Sequence, residues 1–220
     1  MKEDILITGG SGLLALNWAL TTREKFNVTL GLHNRNVNLK GTKSVLLDLD
    51  SKEALSLALE ALQPQLVIHA AGLTSVEACE ANPVLAKYIN VDLSQNLAMV
   101  CAKLNIPMVY ISTDHLFSGN ESLIDEDFPV SPINVYAKTK AEAEAYVQNT
   151  FPEALIIRTN FYAWGTSYRH SFSDLVINNL RAGKKISLFK DIYYTPILVE
   201  SLVDAVHELV QKKAKGIFNV

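Results

Sequence analysis

Tyr136 and Lys140 are four residues apart in a stretch of helical pattern, which places both side chains on one face of a helix. A phenol has an ordinary pKa of about 10, so without help it is a poor proton donor or acceptor at neutral pH. A nearby ammonium group favours the phenolate and lowers the pKa of the phenol. An exposed Tyr and Lys on a helix would share this spacing, so the pair becomes a candidate for proton transfer only in a supporting context.

That context begins with the strand-like run Met108–Ser112, which is followed by Thr113 and Asp114. Ligands of open α/β sheets bind at the carboxyl ends of the strands. A hydroxyl group in that place can hydrogen-bond a carbonyl oxygen and polarise the carbonyl for hydride attack. Local capping of the backbone by Ser112 and Thr113 is the alternative explanation.

A second motif lies at residues 5–15, where a buried strand, a glycine turn and the start of a helix follow one another. Gly9 permits the tight turn, Gly12 lets the backbone approach a pyrophosphate, and Ala15 fills the small packing position. The helix N-terminus offers free N–H groups to an anion. The pattern predicts a dinucleotide site, and the alternative is a turn that binds nothing. The residues assigned to it are Gly9, Ser11, Gly12, Leu13 and Leu14.

The next predicted strand ends at His33, Asn34 and Arg35, with no carboxylate for a ribose 2′-hydroxyl. Arg35 is instead suited to a 2′-phosphate, through charge-assisted hydrogen bonds. The sequence therefore favours NADP(H) over NAD(H), with Asn34 and Arg35 as cofactor residues. A solvated loop arginine is the alternative.

Apolar runs of strand length alternate with helical patterns along most of the chain, which predicts an α/β fold with a Rossmann-like, doubly wound parallel sheet. The six runs fit the strand order 3-2-1-4-5-6. Helices are expected after Ser51, from Asn82-Pro83 to Leu104, and from about Val135 to Gln148. The expected strands are Ile5–Thr8, Val28–His33, Ser44–Leu47, Leu66–His69, Met108–Ser112 and Ala154–Arg158.

The alternation of strand-like and helical patterns becomes irregular after Arg158. We therefore assign residues 1–160 to a Rossmann domain and residues 161–220 to a small C-terminal substrate lobe. This lobe is expected to hold helices at 172–181 and 199–210, a strand at 186–189 and a strand-like end at 216–220. The sequence stops inside an apolar strand pattern, which indicates either a missing C-terminal segment or a shorter member of its family.

The 220 residues include 49% hydrophobic and 20% charged side chains, with a net charge of -3. This balance argues against a nucleic-acid or membrane-surface protein, which would be basic. We see no signal peptide or membrane span, and two cysteines suit a reducing cytoplasm. Three adjacent carboxylates, Asp125–Asp127, are typical of a solvated loop, so no metal is assigned.

Taken together, these motifs resemble an extended short-chain dehydrogenase/reductase, most closely the dTDP-4-dehydrorhamnose reductase branch. The resemblance covers nearly all of the chain. The matching pieces are TGGSGLLA at 8–15, LDLD at 47–50, HAAG at 69–72, Asn90-Val91, STD at 112–114, PINVYAKTK at 132–140 and Arg158-Thr159-Asn160.

The resemblance implies that Thr113 binds the carbonyl oxygen, that Tyr136 is the acid/base, and that Lys140 contacts both the tyrosine and the nicotinamide ribose. It implies further cofactor contacts at Asp48, Leu49, Ala70, Ala71, Gly72, Asn90, Tyr136 and Lys140. Asn90 resembles an asparagine of the family that is often tied to a water relay, and a kink or capping amide is the alternative. The substrate residues assigned are Ser112, Asp114, His115 and Asn160.

The substrate implied is a nucleotide-linked 4-keto sugar, reduced by hydride from NADPH. Related dehydratases carry two acids after the threonine, whereas here His115 follows Asp114, which favours simple reduction. Aromatic segments at 161–171 and 193–196, with Arg169 or Lys190, match the region where this branch holds a sugar nucleotide, although packing of the lobe also explains them. Ala137 stands where the family usually has glycine.

Two other functions remain open. One is a sugar-nucleotide epimerase, which would show no net use of NADPH. The other is a cofactor-binding regulatory subunit, because one branch with this resemblance serves methionine adenosyltransferase in that way. The family also implies a homodimer, formed through the helices at 82–104 and 135–148.

Overall fold

The computed structural model describes residues 2–188, 190 and 194–220, and most of its strands form one seven-stranded parallel sheet. The strand order is β3-β2-β1-β4-β5-β6-β9, and β7 and β8 form a separate parallel pair. The strands are β1 (Asp4–Thr8), β2 (Asn27–Leu32), β3 (Lys43–Leu46), β4 (Leu66–His69), β5 (Met108–Ile111), β6 (Leu155–Arg158), β7 (Phe161–Tyr162), β8 (Ile197–Leu198) and β9 (Gly216–Asn219).

Helices cover both faces of the sheet. The α-helices are α1 (Leu13–Thr22), α2 (Lys52–Leu62), α3 (Val76–Ala81), α4 (Pro83–Lys87), α5 (Leu93–Leu104), α6 (Val135–Thr150), α7 (Phe172–Arg181) and α8 (Val199–Gln211). A π-helical turn, Tyr88–Asp92, joins α4 to α5, and a short 3₁₀ turn, Asp114–Leu116, follows β5.

The central strands are mostly apolar because alternate side chains enter different cores. Ile5 and Ile7 of β1 pack in the same cluster as Trp18 of α1 and helix α8. Leu6, between them, belongs to the cluster formed with α2, α5 and α6. Complete burial of one such side chain contributes about 2 kcal/mol, so a sheet covered on both faces is strongly favoured.

The predicted fold class is confirmed, and all six predicted strands occur within one residue at either end. The strand order predicted from the sequence is confirmed and is extended by β9, which pairs with β6. The predicted helices at 172–181 and 199–210 are also present.

The segment expected to be a substrate lobe is divided. Its final helix and strand, α8 and β9, pack on and extend the main sheet, whereas β7 and β8 pair with each other outside it. The strand expected at 186–189 is wrong for residues 186–188, which form no strand, and Phe189 lies outside the described residues. Leu188 is exposed, so no packing surface favours a strand there.

One continuous helix from Asn82 to Leu104 was also expected, and here the structure differs. Asn82 caps the start as predicted, by accepting a hydrogen bond of 3.0 Å from the N–H of Leu85. The π-helical turn then interrupts the helix at the position of Asn90, whose side-chain amide is held by partners outside its own helix. Insertions of this kind are frequent at functional sites.

The turn between β1 and α1 is packed directly against the loop that follows β4. Gly9 has φ of +66°, and a Cβ atom at Gly9 would lie 2.8 Å from Cα of Ala71. Gly119 provides a comparison, because its φ is +83° and a Cβ there would meet nothing within 4 Å.

We therefore expect Gly9→Ala to lower the free energy of unfolding by about 3 kcal/mol, since left-handed strain and a backbone clash combine. Gly119→Ala introduces the strain alone and should cost about 1 kcal/mol. Urea unfolding of both variants measures the difference. Equal losses would mean that the close approach to Ala71 contributes nothing.

Candidate active site

A cleft of about 630 Å³ opens at the carboxyl ends of β1, β4, β5 and β6, where the strand order reverses direction. This is the position at which open α/β sheets bind ligands. It has the size of a typical small-molecule site. Most of the site residues predicted from the sequence line it, in the groups described below.

The glycine turn forms one end of the cleft through Gly9, Ser11, Gly12, Leu13 and Leu14. Gly12 is the N-cap of α1, no side chain caps the helix, and its first turn holds no acidic residue. The first N–H groups of α1 therefore remain available to a ligand. The helix dipole adds positive potential in the same place, so this end of the cleft suits an anion.

The adenosine end differs from the expectation. Asp48 and Leu49 line the cleft, whereas Asn34 and Arg35 do not. His33, which was not assigned a role, lines it instead. The Arg35 guanidinium stacks on Tyr168, with Cζ 4.3 Å from the centre of the ring.

Ala70, Ala71 and Gly72 follow β4 and form the wall beside the glycine turn. Asn90 lies behind them: its amide oxygen accepts from the Leu73 N–H at 2.7 Å. Its amide nitrogen donates to the Leu73 carbonyl at 3.1 Å and to Thr139 Oγ1 at 2.9 Å. These bonds connect the loop to α6, which suits the structural role expected as the alternative, and the water relay stays a prediction.

His69 anchors the same wall. Ser94 donates its hydroxyl proton to the Asn90 carbonyl at 2.7 Å, so it accepts from His69 Nε2 at 2.9 Å. His69 Nδ1 then accepts from the Thr8 hydroxyl at 2.7 Å. Burial, followed by the charge of Lys140, lowers the pKa of His69 to about 3. The ring is therefore neutral, and its partners determine its tautomer.

The candidate catalytic residues meet at the end of β5. Thr113 is buried, and His115 packs edge-on against Tyr136 with 5.9 Å between ring centres. Burial raises the pKa of the Tyr136 phenol, and the neighbouring Thr113 hydroxyl partly offsets this rise. The two oxygens that the reaction would need thus occupy one corner of the cleft.

Lys140 lines the cleft, but its contacts differ from those expected. Its Nζ donates to the carbonyl oxygen of Ile111 at 2.7 Å and lies 4.2 Å from the centre of the Tyr110 ring. The sequence predicted that an ammonium near Tyr136 lowers the pKa of the phenol; here burial raises that pKa, Lys140 is not among the groups that act on it, and the effect of Lys140 stays a prediction. Burial also lowers the pKa of Lys140 to about 7, against a smaller opposing effect of Glu144.

Glu144, which sequence reasoning missed, lies beneath these groups. Its buried carboxylate accepts from Arg158 Nη2 at 2.6 Å and from the Ser112 hydroxyl at 2.8 Å. Ser112 was assigned to substrate, yet its hydroxyl is directed to this carboxylate. The spacing Tyr136, Lys140, Glu144 places all three on one helix face, and this signal could have identified Glu144.

The other predicted substrate residues lie along the cleft. Asn160 donates to Asp114 Oδ2 at 3.2 Å, and His115 Nε2 is 3.8 Å from Asp114 Oδ1. Phe161 and Arg169 from the C-terminal segment also line the cleft. Of the aromatic stretch 193–196, Tyr193 lies outside the described residues, and Tyr194 is exposed.

The comparisons with known proteins agree with this geometry. The family described as RmlD substrate binding domain matches residues 1–219. The chain belongs to this family. The expected resemblance to extended short-chain dehydrogenases/reductases of the dTDP-4-dehydrorhamnose reductase branch is therefore confirmed.

Three individual relatives illustrate the membership in the RmlD family. The probable low-salt glycan biosynthesis reductase Agl14 of Haloferax volcanii is 31% identical over 97% of this chain and 73% of its own length. Methionine adenosyltransferase 2 subunit beta of Mus musculus is 33% identical over 69% of this chain and 45% of its own length, so the chain spans less than half of that relative. A crystal structure of dTDP-4-dehydrorhamnose reductase from Bacillus anthracis in complex with NADP has a TM-score of 0.84 at 26% identity. It covers 100% of this chain and 75% of that one.

Two of these relatives are reductases, and the expectation of an oxidoreductase family is confirmed. Within residues 2–188, 190 and 194–220, none of the helices has the length and apolar character needed to cross a bilayer. In the same part of the chain, no group of three or more His, Cys, Asp or Glu side chains is arranged to hold a metal ion.

The lowered pKa of Lys140 predicts a pH-dependent effect on stability. The unfolded chain keeps the proton up to about pH 10.5, whereas the folded chain releases it above about pH 7. The destabilising effect of the buried ammonium is therefore complete below pH 7 and disappears as the pH rises to 10.5. We expect the stability of Lys140→Met relative to the wild type to fall by up to ~4 kcal/mol between pH 7 and 10.

Urea unfolding at a series of pH values measures this difference. Lys138→Met, at an exposed position of the same helix, is the matched control and should follow the wild type at every pH. Parallel pH curves for Lys140→Met and the wild type would contradict the assignment of a neutralised Lys140.

Proposed function

We propose that this chain carries the cofactor-binding and catalytic part of an NADPH-dependent reductase of a nucleotide-linked 4-keto sugar. One observation carries the proposal. The Thr113 hydroxyl and the Tyr136 phenol are neighbours at one end of a cleft whose other end is a glycine turn with an uncapped helix N-terminus.

The cleft has the features that an NAD(P) cofactor requires. The glycine turn leaves a cradle that a Cβ atom would fill, since one at Gly12 would lie 3.0 Å from the Gly9 carbonyl oxygen. The α1 N-terminus would hold the pyrophosphate, and Asp48 and Leu49 would flank the adenine. When bound, the nicotinamide supplies the hydride. The NADP in the Bacillus anthracis reductase supports the same assignment.

The side chains of this chain have complementary roles at the carbonyl. Thr113 binds the carbonyl oxygen and polarises it. Because the pKa of Tyr136 is raised, the phenol retains its proton at neutral pH and can donate it to the developing alkoxide. Lys140, held by the Ile111 carbonyl, lies on the same helix face as Tyr136 and would contact the nicotinamide ribose, as the family implies.

The substrate class rests on the C-terminal segment and on the relatives. Arg169 and Phe161, both from the C-terminal segment, line the cleft. A guanidinium suits the pyrophosphate of a nucleotide sugar, and an aromatic ring suits its base. Relatives named as a glycan biosynthesis reductase and a dTDP-4-dehydrorhamnose reductase support a 4-keto sugar nucleotide.

A regulatory subunit is the second candidate, favoured by the 33% identity to methionine adenosyltransferase 2 subunit beta. The neighbouring Thr113 and Tyr136 favour catalysis instead. NADPH binding without turnover of any sugar nucleotide would support the regulatory role. An epimerase would interconvert sugars without consuming NADPH. The homodimer and the cytoplasmic location remain predictions.

Tyr136→Phe is expected to lower kcat for NADPH oxidation with a dTDP-linked 4-keto-6-deoxy sugar by about 10²- to 10⁴-fold, because it removes the proton donor. The Kd for NADPH should change little, since the ring remains. Absorbance of NADPH follows the reaction, and fluorescence follows binding.

Tyr146→Phe, an exposed position on the same helix, is the control and should leave turnover unchanged. Wild-type turnover in Tyr136→Phe would remove Tyr136 from the mechanism. Absence of turnover in the wild type across a panel of nucleotide sugars would contradict the reductase itself.

A further inference from the structure

Residues 164–171, which we call the strap, form a short turn beyond β7 that is fixed at its base. Asn17 of α1 donates to the Trp164 carbonyl at 2.9 Å. Thr166 and Arg169 pair through their backbones, and Ser171 and Asp174 form a capping box at the start of α7. The strap is thus tied both to α1 and to α7.

The tip of the strap crosses the mouth of the cleft. On one side, the Tyr168 hydroxyl donates to the Ser11 carbonyl in the glycine turn at 2.9 Å. On the other side, Arg169 Nη2 donates to Thr74 Oγ1, in the loop after β4, at 3.0 Å. Two consecutive side chains therefore reach opposite walls of the cofactor end.

Tyr168 also contacts Arg35. The guanidinium lies over the ring, with Cζ 4.3 Å from its centre, close enough for a cation–π interaction. A guanidinium carries five N–H donors, and a cation–π contact does not saturate them. Within the described part of the chain, no carboxylate pairs with Arg35, so these donors remain available to a ligand.

The position of this stack indicates the ligand. Arg35 follows β2, and in this class of fold the adenosine ribose binds at the end of that strand. The Tyr168 ring lies beside the glycine turn, as its 2.9 Å contact with the Ser11 carbonyl shows, so Arg35 above the ring is close to the turn that suits the pyrophosphate. A phosphate on the ribose 2′-oxygen would carry the dianionic charge that a forked guanidinium binds well.

We propose that Tyr168 is a specificity-determining residue, whose ring positions the Arg35 guanidinium to recognise the 2′-phosphate of NADP(H). The inference rests on the proposed preference for NADP(H) and adds to it a positioning residue from a distant part of the chain. Tyr168 acts through Arg35 and has no part in the chemical step.

The test compares Kd values for NADPH and NADH, measured by fluorescence, in Tyr168→Leu, Tyr168→Phe, Arg35→Ala and the double variant Arg35→Ala/Tyr168→Leu. Tyr168→Leu should raise the Kd for NADPH about five-fold and change the Kd for NADH by less than about two-fold, as expected for a lost cation–π contact. Tyr168→Phe keeps the ring and should retain the preference. Arg35→Ala should weaken NADPH about ten-fold, and the double variant should equal Arg35→Ala.

Two further measurements make the test specific. Tyr146→Leu removes a tyrosine of similar exposure, 40% against 41% for Tyr168, and should change neither Kd. Adenosine 2′,5′-bisphosphate and AMP, used as competitors, repeat the comparison with the adenosine end alone. Because Tyr168 is exposed, the thermal midpoint of each ligand-free variant should match the wild type.

Three results would overturn the inference. Equal weakening of NADPH and NADH binding in Tyr168→Leu would mean that Tyr168 supports the binding of both cofactors and does not discriminate between them. Loss of preference in Tyr168→Phe would assign the effect to the hydroxyl, and multiplying effects in the double variant would mean that Tyr168 does not act through Arg35. A wild type without preference for NADPH would instead contradict the proposed cofactor, and that result is visible before any variant is made.

Discussion

The buried carboxylate of Glu144 connects the elements that form the catalytic corner. It joins α6 to β6 through Arg158 and to the end of β5 through Ser112. Arg158 continues the connection to the Glu126 carbonyl, and the Glu126 carboxylate accepts from the N–H of Asn219 in β9. Removing one partner of a buried pair of this kind typically costs about 3–5 kcal/mol, because the other charge is left unpaired. The relative position of Thr113 and Tyr136 therefore depends on this pair.

Several buried ionisable groups of the same corner are paired or uncharged near neutral pH, whereas the Asp114 side chain adds a charge that acts on the phenol. Glu144 is balanced by Arg158, the phenol of Tyr136 keeps its proton, and Lys140 titrates at about pH 7. His69, beneath the loop wall, is neutral.

The parts of the fold that depend on local sequence could be predicted. Continuous apolar runs identified the strands, and the glycine turn identified the phosphate end of the cleft, because both patterns act within about ten residues. Where the structure differs from the prediction, the responsible contacts join residues that are far apart in the sequence. The π-helical turn depends on Asn90 reaching Leu73 and Thr139, and Lys140 bonds to Ile111, 29 residues earlier. No periodicity encodes such pairs.

The C-terminal segment contributes both to the cleft and to the main sheet, so a boundary at residue 160 of the sequence does not separate two structural parts. Strand β6 leads directly into Asn160 and Phe161 at the cleft, and the strap then returns to the glycine turn 157 residues earlier in the chain. The chain next forms α7 and returns to the sheet as α8 and β9. Residues that are far apart in the sequence therefore share one cleft, because a single segment contributes Asn160 and Phe161 to its lining and ties Tyr168 to the glycine turn.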